Sequence, residues 1–242
     1  MSALPALAGA RQRHVDEAVW QGAGWHTRPA AVLPAAGAHV VVVSAHPDDE
    51  VLALGGTLSL LAARGCRLTL VTATDGEGSH PGLGGDDVAR LVRRRADELR
   101  RALDLLDVPV DPVRLGLPDS GLAAREDDLL TALAPLAHDA DLVVGTWSGD
   151  AHPDHEAVGR ACGRLGTPTW EAPVWAWHWA APDDPRFPWD RVRLVDVSSR
   201  LERKAEAVAA FTSQLEPRGD AGPVLPPDVL AHFARPFEVV LT

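Results

Sequence analysis

The sequence contains no tyrosine, which removes the phenol as a proton donor in any reaction the chain could run. Lysine is almost absent as well, with Lys204 alone, a bias that reads as arginine-rich codon usage rather than function. The two cysteines, Cys66 and Cys162, form no C-x-x-C pair and lie in apolar or helical surroundings, the pattern of buried thiols in a reducing compartment. No apolar run reaches the roughly eighteen residues a transmembrane helix needs, and Met1 to Ala10 lacks a basic leader region. The expected address is the cytoplasm, without membrane insertion. No G-x-G-x-x-G follows the first valine-rich run, which argues against dinucleotide binding.

Positive charge is also in short supply. Acidic residues number 34 against 23 basic ones, a net charge of -11 that disfavours nucleic acid as a partner. The one basic run, from Arg90 through Arg93, Arg94, Arg95, Arg100 and Arg101, is interleaved with Asp97 and Glu98 and reads as a solvated helix face. Hydrophobic residues at 46% and charged residues at 24% match ordinary globular usage, and 242 residues suffice for a sizeable core. One domain spanning residues 1–242 is expected.

What is present alternates between two periods. His39 to Ala45 is a continuous run rich in β-branched valine, the mark of a strand buried on both faces. Glu50 to Ala63 reads as a largely buried helix stopped by Gly65, and Arg67 to Thr74 as a second strand. A glycine-rich loop over residues 75–85 leads to an amphipathic helix from Asp86 to Leu106. Strand Val113–Leu117, helix Asp127–Ala137 and strand Leu142–Thr146 follow, then an exposed strand at Arg191–Val197, a helix at Leu201–Phe211 and a last strand at Phe237–Leu241. Such alternation predicts an α/β fold: a mostly parallel twisted sheet with helices on both faces and the site at the C-terminal ends of the strands.

Two nearly identical hexapeptides occupy that position. Ala45-His46-Pro47-Asp48-Asp49-Glu50 and Ala151-His152-Pro153-Asp154-His155-Glu156 each follow a valine-rich strand and open a helix. A hydrolytic metal takes about three protein ligands and lowers the pKa of water to about 7. His46 and Asp49, three residues apart at a strand-to-helix corner, can supply two of these, with His155 as the third. Asp48 is placed as general base, kept ionised by the metal and the helix N-terminus. His152 is expected to reach the same cavity as an imidazolium donor, with Asp154 holding its ring and raising its pKa.

Through these residues the chain resembles the LmbE-like, or PIG-L, family of zinc-dependent deacetylases, whose members carry an H-P-D-D-E motif after the first strand and H-P-D-H about a hundred residues later. The resemblance implies a Rossmann-like three-layer sandwich and removal of the N-acetyl group from N-acetylglucosamine conjugates. It implies the same metal ligands and base, with His152 aiding the oxyanion. Arg95-Ala96-Asp97-Glu98-Leu99 looks like the family's R-x-x-E-L helix, Leu115-Gly116-Leu117-Pro118-Asp119 like its L-G-x-P-D turn, and Lys204 with Ser213-Gln214 like its late K…S-Q element. Arg95 and Asp119 become substrate-binding candidates on that ground. The chain departs from members that place a tyrosine beside the second motif, since Ser148-Gly149-Asp150-Ala151 stands there.

Trp170, Trp175, Trp177, Trp179 and Trp189 crowd residues 169–189, either filling a core or a homo-oligomer interface, or offering flat faces to a sugar. His178 alternates with them and is the segment's candidate for the pocket. The donor types suit Zn2+ and permit Fe2+. Two rival functions fit the same residues, a metal-dependent amidase acting on a non-sugar N-acyl metabolite and a non-catalytic metal- or sugar-binding module. The presence of Asp48, the residue least needed for binding alone, weighs against the second.

Overall fold

Four consecutive valines set the layering. The structure is a computed structural model that describes residues 15–218 and 222–242. After a short helix α1 (Glu17–Gln21), strand β1 (His39–Ser44) carries Val40 to Val43, all buried. Successive side chains of a strand point to opposite faces, so Val40 and Val42 enter one core and Val41 and Val43 another.

The first core is closed by α2 (Asp49–Ala63), α3 (Gly85–Leu105) and α7 (Leu201–Ala209) through residues such as Leu58, Leu103 and Ala207. The second is closed by α4 (Glu126–Ala137) and α5 (Pro153–Gly163) through Leu129, Leu133 and Val158. Three layers result, as expected.

The strands β2 (Arg67–Thr74), β3 (Val113–Leu117), β4 (Leu142–Thr146), β5 (Thr169–Ala172), β6 (Val192–Asp196) and β7 (Phe237–Leu241) complete a seven-stranded sheet in the order β3-β2-β1-β4-β5-β7-β6. The first five run parallel, while β7 is antiparallel to both β5 and β6. From β1 the chain steps outward to β2 and β3, then returns to lay β4 on the other side of β1. In an open α/β sheet this reversal leaves a crevice beyond the C-terminal ends of the two strands. Both H-P-D motifs leave from those two ends, His46 after β1 and His152 after β4.

The sequence missed β5, where tryptophan and proline hide a four-residue strand, and the short helices α6 (Ala176–Trp179), α8 (Thr212–Leu215) and α9 (Pro227–Ala231). Trp177 is buried with Trp20, Trp25 and Phe187 in one aromatic cluster, and the half-buried Trp170, Trp179 and Trp189 pack against the same core. No helix of the described residues is long and apolar enough to cross a membrane.

Gly159 brings α5, and with it His155, against β4. A Cβ at this position would lie 2.6 Å from both the Thr146 carbonyl oxygen and the Ser148 amide nitrogen, backbone atoms that cannot rotate away. Gly159→Ala is therefore expected to lower stability by about 1–3 kcal/mol through overpacking. A denaturant midpoint unchanged from the parent chain would refute that close fit.

Candidate metal centre and active-site cavity

His46 leaves the end of β1, and Asp48 and Asp49 begin α2, so three polar side chains cluster at one corner. The His46 amide donates to Asp49 Oδ2 at 2.9 Å, folding the carboxylate back over the corner. His152 caps α5 and His155 lies in its first turn, with Pro153 at a position where no amide donor is needed. The three imidazoles offer nitrogens that all lie within 4.8 Å of one another.

Asp49 links the two motifs. Its Oδ2 lies 3.4 Å from His46 Nδ1 and its Oδ1 lies 3.4 Å from His155 Nε2. These separations are long for hydrogen bonds, but they are the edge lengths of a tetrahedral shell. Ligands at about 2.0–2.2 Å from a common centre sit about 3.3–3.6 Å apart. Two imidazoles and one carboxylate are donors of the kind a divalent ion takes.

Each imidazole is held from its far nitrogen. His155 Nδ1 meets Asp150 Oδ2 at 2.6 Å, and His46 Nε2 faces Asp154 Oδ2 at 3.3 Å and Asp119 Oδ1 at 3.4 Å. Carboxylates behind histidines in this manner fix the tautomer and strengthen the ligand. His46, Asp119 and Asp154 also form a second potential donor set. Their carboxylates are already committed to backbone amides, Asp119 to Gly78 at 2.8 Å and Asp154 to Ser120 at 2.7 Å and Leu122 at 3.0 Å. They act as the support of His46. Burial opposes charge on His46, but hydrogen bonds to Asp119, Asp154 and Asp49 outweigh it and hold the ring well above its ordinary pKa. This concentration of carboxylate is suited to a cation.

Two expectations about the second motif need correction. Asp154 does not hold His152: its carboxylate reaches Ser120, Leu122 and His46, because α5 points it across the cavity toward the first motif. The His152 ring instead accepts from the Asp154 backbone amide through Nδ1 at 3.3 Å, which leaves the ring proton on Nε2. Burial of His152, with the charges of His155 and His46 adding, pushes its ring down to about 3, against the imidazolium expected from the sequence.

Asp48 borders the cavity and is buried, and burial raises its carboxyl against the pull of Arg95. Glu50 Oε2 accepts the Asp48 amide at 3.1 Å. Arg95 is no solvated helix charge. It is 2% exposed and donates to Asp48 Oδ2 at 3.0 Å, the Pro47 carbonyl at 3.3 Å and the Gly76 carbonyl at 2.8 Å. Gly76, in the left-handed region at φ 65, makes room for the guanidinium, since a Cβ there would lie 1.9 Å from Arg95 Nη1. With its guanidinium directed at Asp48 and two carbonyls, Arg95 braces the carboxylate from behind.

His46, Asp48, Asp49, Arg95, His152 and His155 line a cavity of about 370 Å3. Asp119, Ser120 and His178 border it too, and His178 is buried against Trp175 at 4.5 Å between ring centroids. Leu225, Val229 and Phe233 are among the cavity's apolar lining residues. A larger hollow of about 730 Å3 lies elsewhere beside Trp25, Arg235 and Phe237. Both potential metal-ligating sets found among the described residues share His46, which lines the smaller cavity.

Sequence reasoning passed over Asp150, whose only signal was its place five residues before His155. It is fully buried, and besides His155 it accepts amides from Val174 at 3.2 Å, Trp175 at 2.7 Å and Ala176 at 2.8 Å.

Comparison with known proteins bears on this site. The sequence profile of the family described as "PIG-L: GlcNAc-PI de-N-acetylase" matches residues 41–165, slightly over half of the chain and inclusive of both H-P-D motifs. The chain belongs to the PIG-L family. Within it, the chain is 35% identical over 147 residues to a 1D-myo-inositol 2-acetamido-2-deoxy-alpha-D-glucopyranoside deacetylase of Corynebacterium glutamicum (strain R), covering 49% of each. A Mycobacterium sp. (strain KMS) protein of the same name is 31% identical over 230 residues, covering 73% of this chain and 74% of its own. The chain spans about half the length of the first curated relatives it matches. Among solved structures, the A40926 pseudoaglycone deacetylase Dbv21 aligns with a TM-score of 0.58 at 23% identity, over 85% of this chain and 96% of that one, and shares the fold. The PIG-L match and the α/β architecture agree with what the two motifs led one to expect.

Proposed function

We propose that the chain is a metal-dependent N-deacetylase that hydrolyses the acetamide of an amino-sugar conjugate to acetate and a free amine. The observation that carries this reading is Asp49, set 3.4 Å from one nitrogen of each of two imidazoles while its neighbour Asp48 borders the same cavity with its carboxylate braced by Arg95. His46, Asp49 and His155 would hold the ion. Zinc is the proposed occupant, and Fe2+ would suit the same donors. When bound, the ion supplies positive charge that acidifies water and polarises an acyl oxygen.

The chain's own groups perform the proton transfers. Asp48 takes a proton from the water that attacks the acyl carbon, and its burial raises its basicity for that task. The Nε2–H of His152 meets the negative charge that develops on the acyl oxygen. As the C–N bond breaks, Asp48 returns its proton to the departing nitrogen. The names of the relatives support an amino sugar as the substrate class. Incubating the zinc-loaded protein with a panel of N-acetylglucosaminides and following free amine tests the reading. Metal-dependent release is the expected result, and release from non-sugar acetamides alone would replace the sugar with another N-acyl substrate.

A further inference from the structure

Gln214 brings a polar atom without a hydrogen-bond partner to the edge of the cavity. Gln214, in α8, is 1% exposed and borders the cavity, and its Oε1 is buried without a hydrogen bond. A buried acceptor left unpaired costs stability, so its presence calls for a partner that arrives with a ligand.

The orientation of this amide follows from a relay that begins on α3. Glu98 is buried, and its carboxylate accepts every hydrogen bond it makes here. Its Oε1 takes the Ser213 amide at 2.7 Å and the Thr212 hydroxyl at 2.8 Å, and its Oε2 takes the Ser213 hydroxyl at 2.5 Å. Ser213 has one hydroxyl proton and donates it there. Toward Gln214 its oxygen is therefore only an acceptor, and it receives Gln214 Nε2–H at 2.8 Å. The amide is thereby fixed with nitrogen toward Ser213 and Oε1 left as an acceptor. An exchange of the two atoms would set Oε1 against an oxygen with no proton to give.

We propose that Gln214 Oε1 accepts a hydrogen bond from a ring hydroxyl of the sugar substrate, which makes Gln214 a specificity-determining residue and Ser213 and Glu98 its positioning residues. This rests on the deacetylase reading above. The donor belongs to the sugar rather than to the acetamide because Gln214 is tied to the Glu98 relay and not to the histidines and aspartates of the metal centre. Leu225, Val229 and Phe233 of the same lining carry no side-chain donor, and the Arg218 guanidinium donates to the Ser79 and Gly222 carbonyls instead.

The experiment compares kcat/KM of the zinc-loaded protein for methyl N-acetylglucosaminide and for analogues lacking one ring hydroxyl each. An N-acetylated arylamine without hydroxyls serves as the reference for every variant. The wild-type chain is expected to disfavour one deoxy analogue by about 10–100-fold, the penalty of leaving a buried acceptor unpaired. Gln214→Met, nearly isosteric but without the acceptor, is expected to lose that preference through KM more than kcat. Ser213→Ala weakens it as well, and Ser213→Thr, which keeps the hydroxyl, preserves it. Thermal melts confirm that each variant is folded, and calorimetric binding of the deoxy series to the wild-type chain gives the same discrimination without relying on a variant. Equal use of all analogues, or a preference that survives in Gln214→Met, overturns the role of Gln214 while the deacetylase stands. Turnover of the arylamide with none of the sugars overturns the sugar reading and this donor together. No amide cleavage by metal-loaded protein overturns the deacetylase itself.

Discussion

Asp48→Asn is expected to lower turnover by about 10²–10⁴-fold, the range a positioned acid–base group supplies, while the protein still binds one metal ion. Asparagine keeps the size and hydrogen-bonding reach of the side chain but cannot take a proton from water. The proposed ligands His46, Asp49 and His155 are untouched, so their loss does not confound the result. Arg95 loses an ionic partner at 3.0 Å yet retains the Gly76 and Pro47 carbonyls, which should hold it in place. Amine release at saturating substrate, with metal content measured on the same sample, reads the effect. Near-normal turnover with full metal content would remove Asp48 from the reaction.

Asp150→Ala is expected to weaken metal binding by about 10–100-fold, because His155 loses the carboxylate that fixes its tautomer at 2.6 Å. The same substitution leaves the amides of Val174, Trp175 and Ala176 without their acceptor in a fully buried place. Stability should fall by about 3 kcal/mol or more, since each stranded buried donor costs about 1–3 kcal/mol. A chelator competition titration reads the affinity and a denaturant midpoint the stability. A variant with parent-like zinc affinity would show that His155 needs no support from behind. The double effect arises because one carboxylate anchors both the second motif and the start of the tryptophan-bearing helix α6.

The layered sheet was legible because its strands are buried on both faces and leave uninterrupted valine runs, as at Val40 to Val43 and at Leu142, Val143 and Val144. The convergence of the two motifs was legible for a related reason, since strand order and short loops leave few places for residues that follow β1 and β4. Less visible were contacts decided by side-chain direction. Nothing in the spacing distinguishes an Asp154 that turns toward His152 from one that crosses to His46 and the Ser120 amide. Arg95 looked like one charge among six on a polar helix, but the left-handed turn at Gly76 lets its guanidinium enter beneath Asp48. Lys204, the lone lysine and the first residue of the late K…S-Q element, is buried and paired with Glu238 at 2.8 Å. Its partner lies on β7, more than thirty residues further along, beyond the reach of any local pattern.

The proposed chemistry turns on one ion held between the two motifs and used to open an acetamide. The most direct measurement is amine release from an N-acetylglucosaminide by protein stripped with chelator and then titrated with zinc. The expected result is no release from the stripped protein and activity that rises to a plateau at about one ion per chain. Activity that persists in protein shown to be metal-free, or a fully loaded protein that releases no amine from any N-acetylglucosaminide, would contradict it.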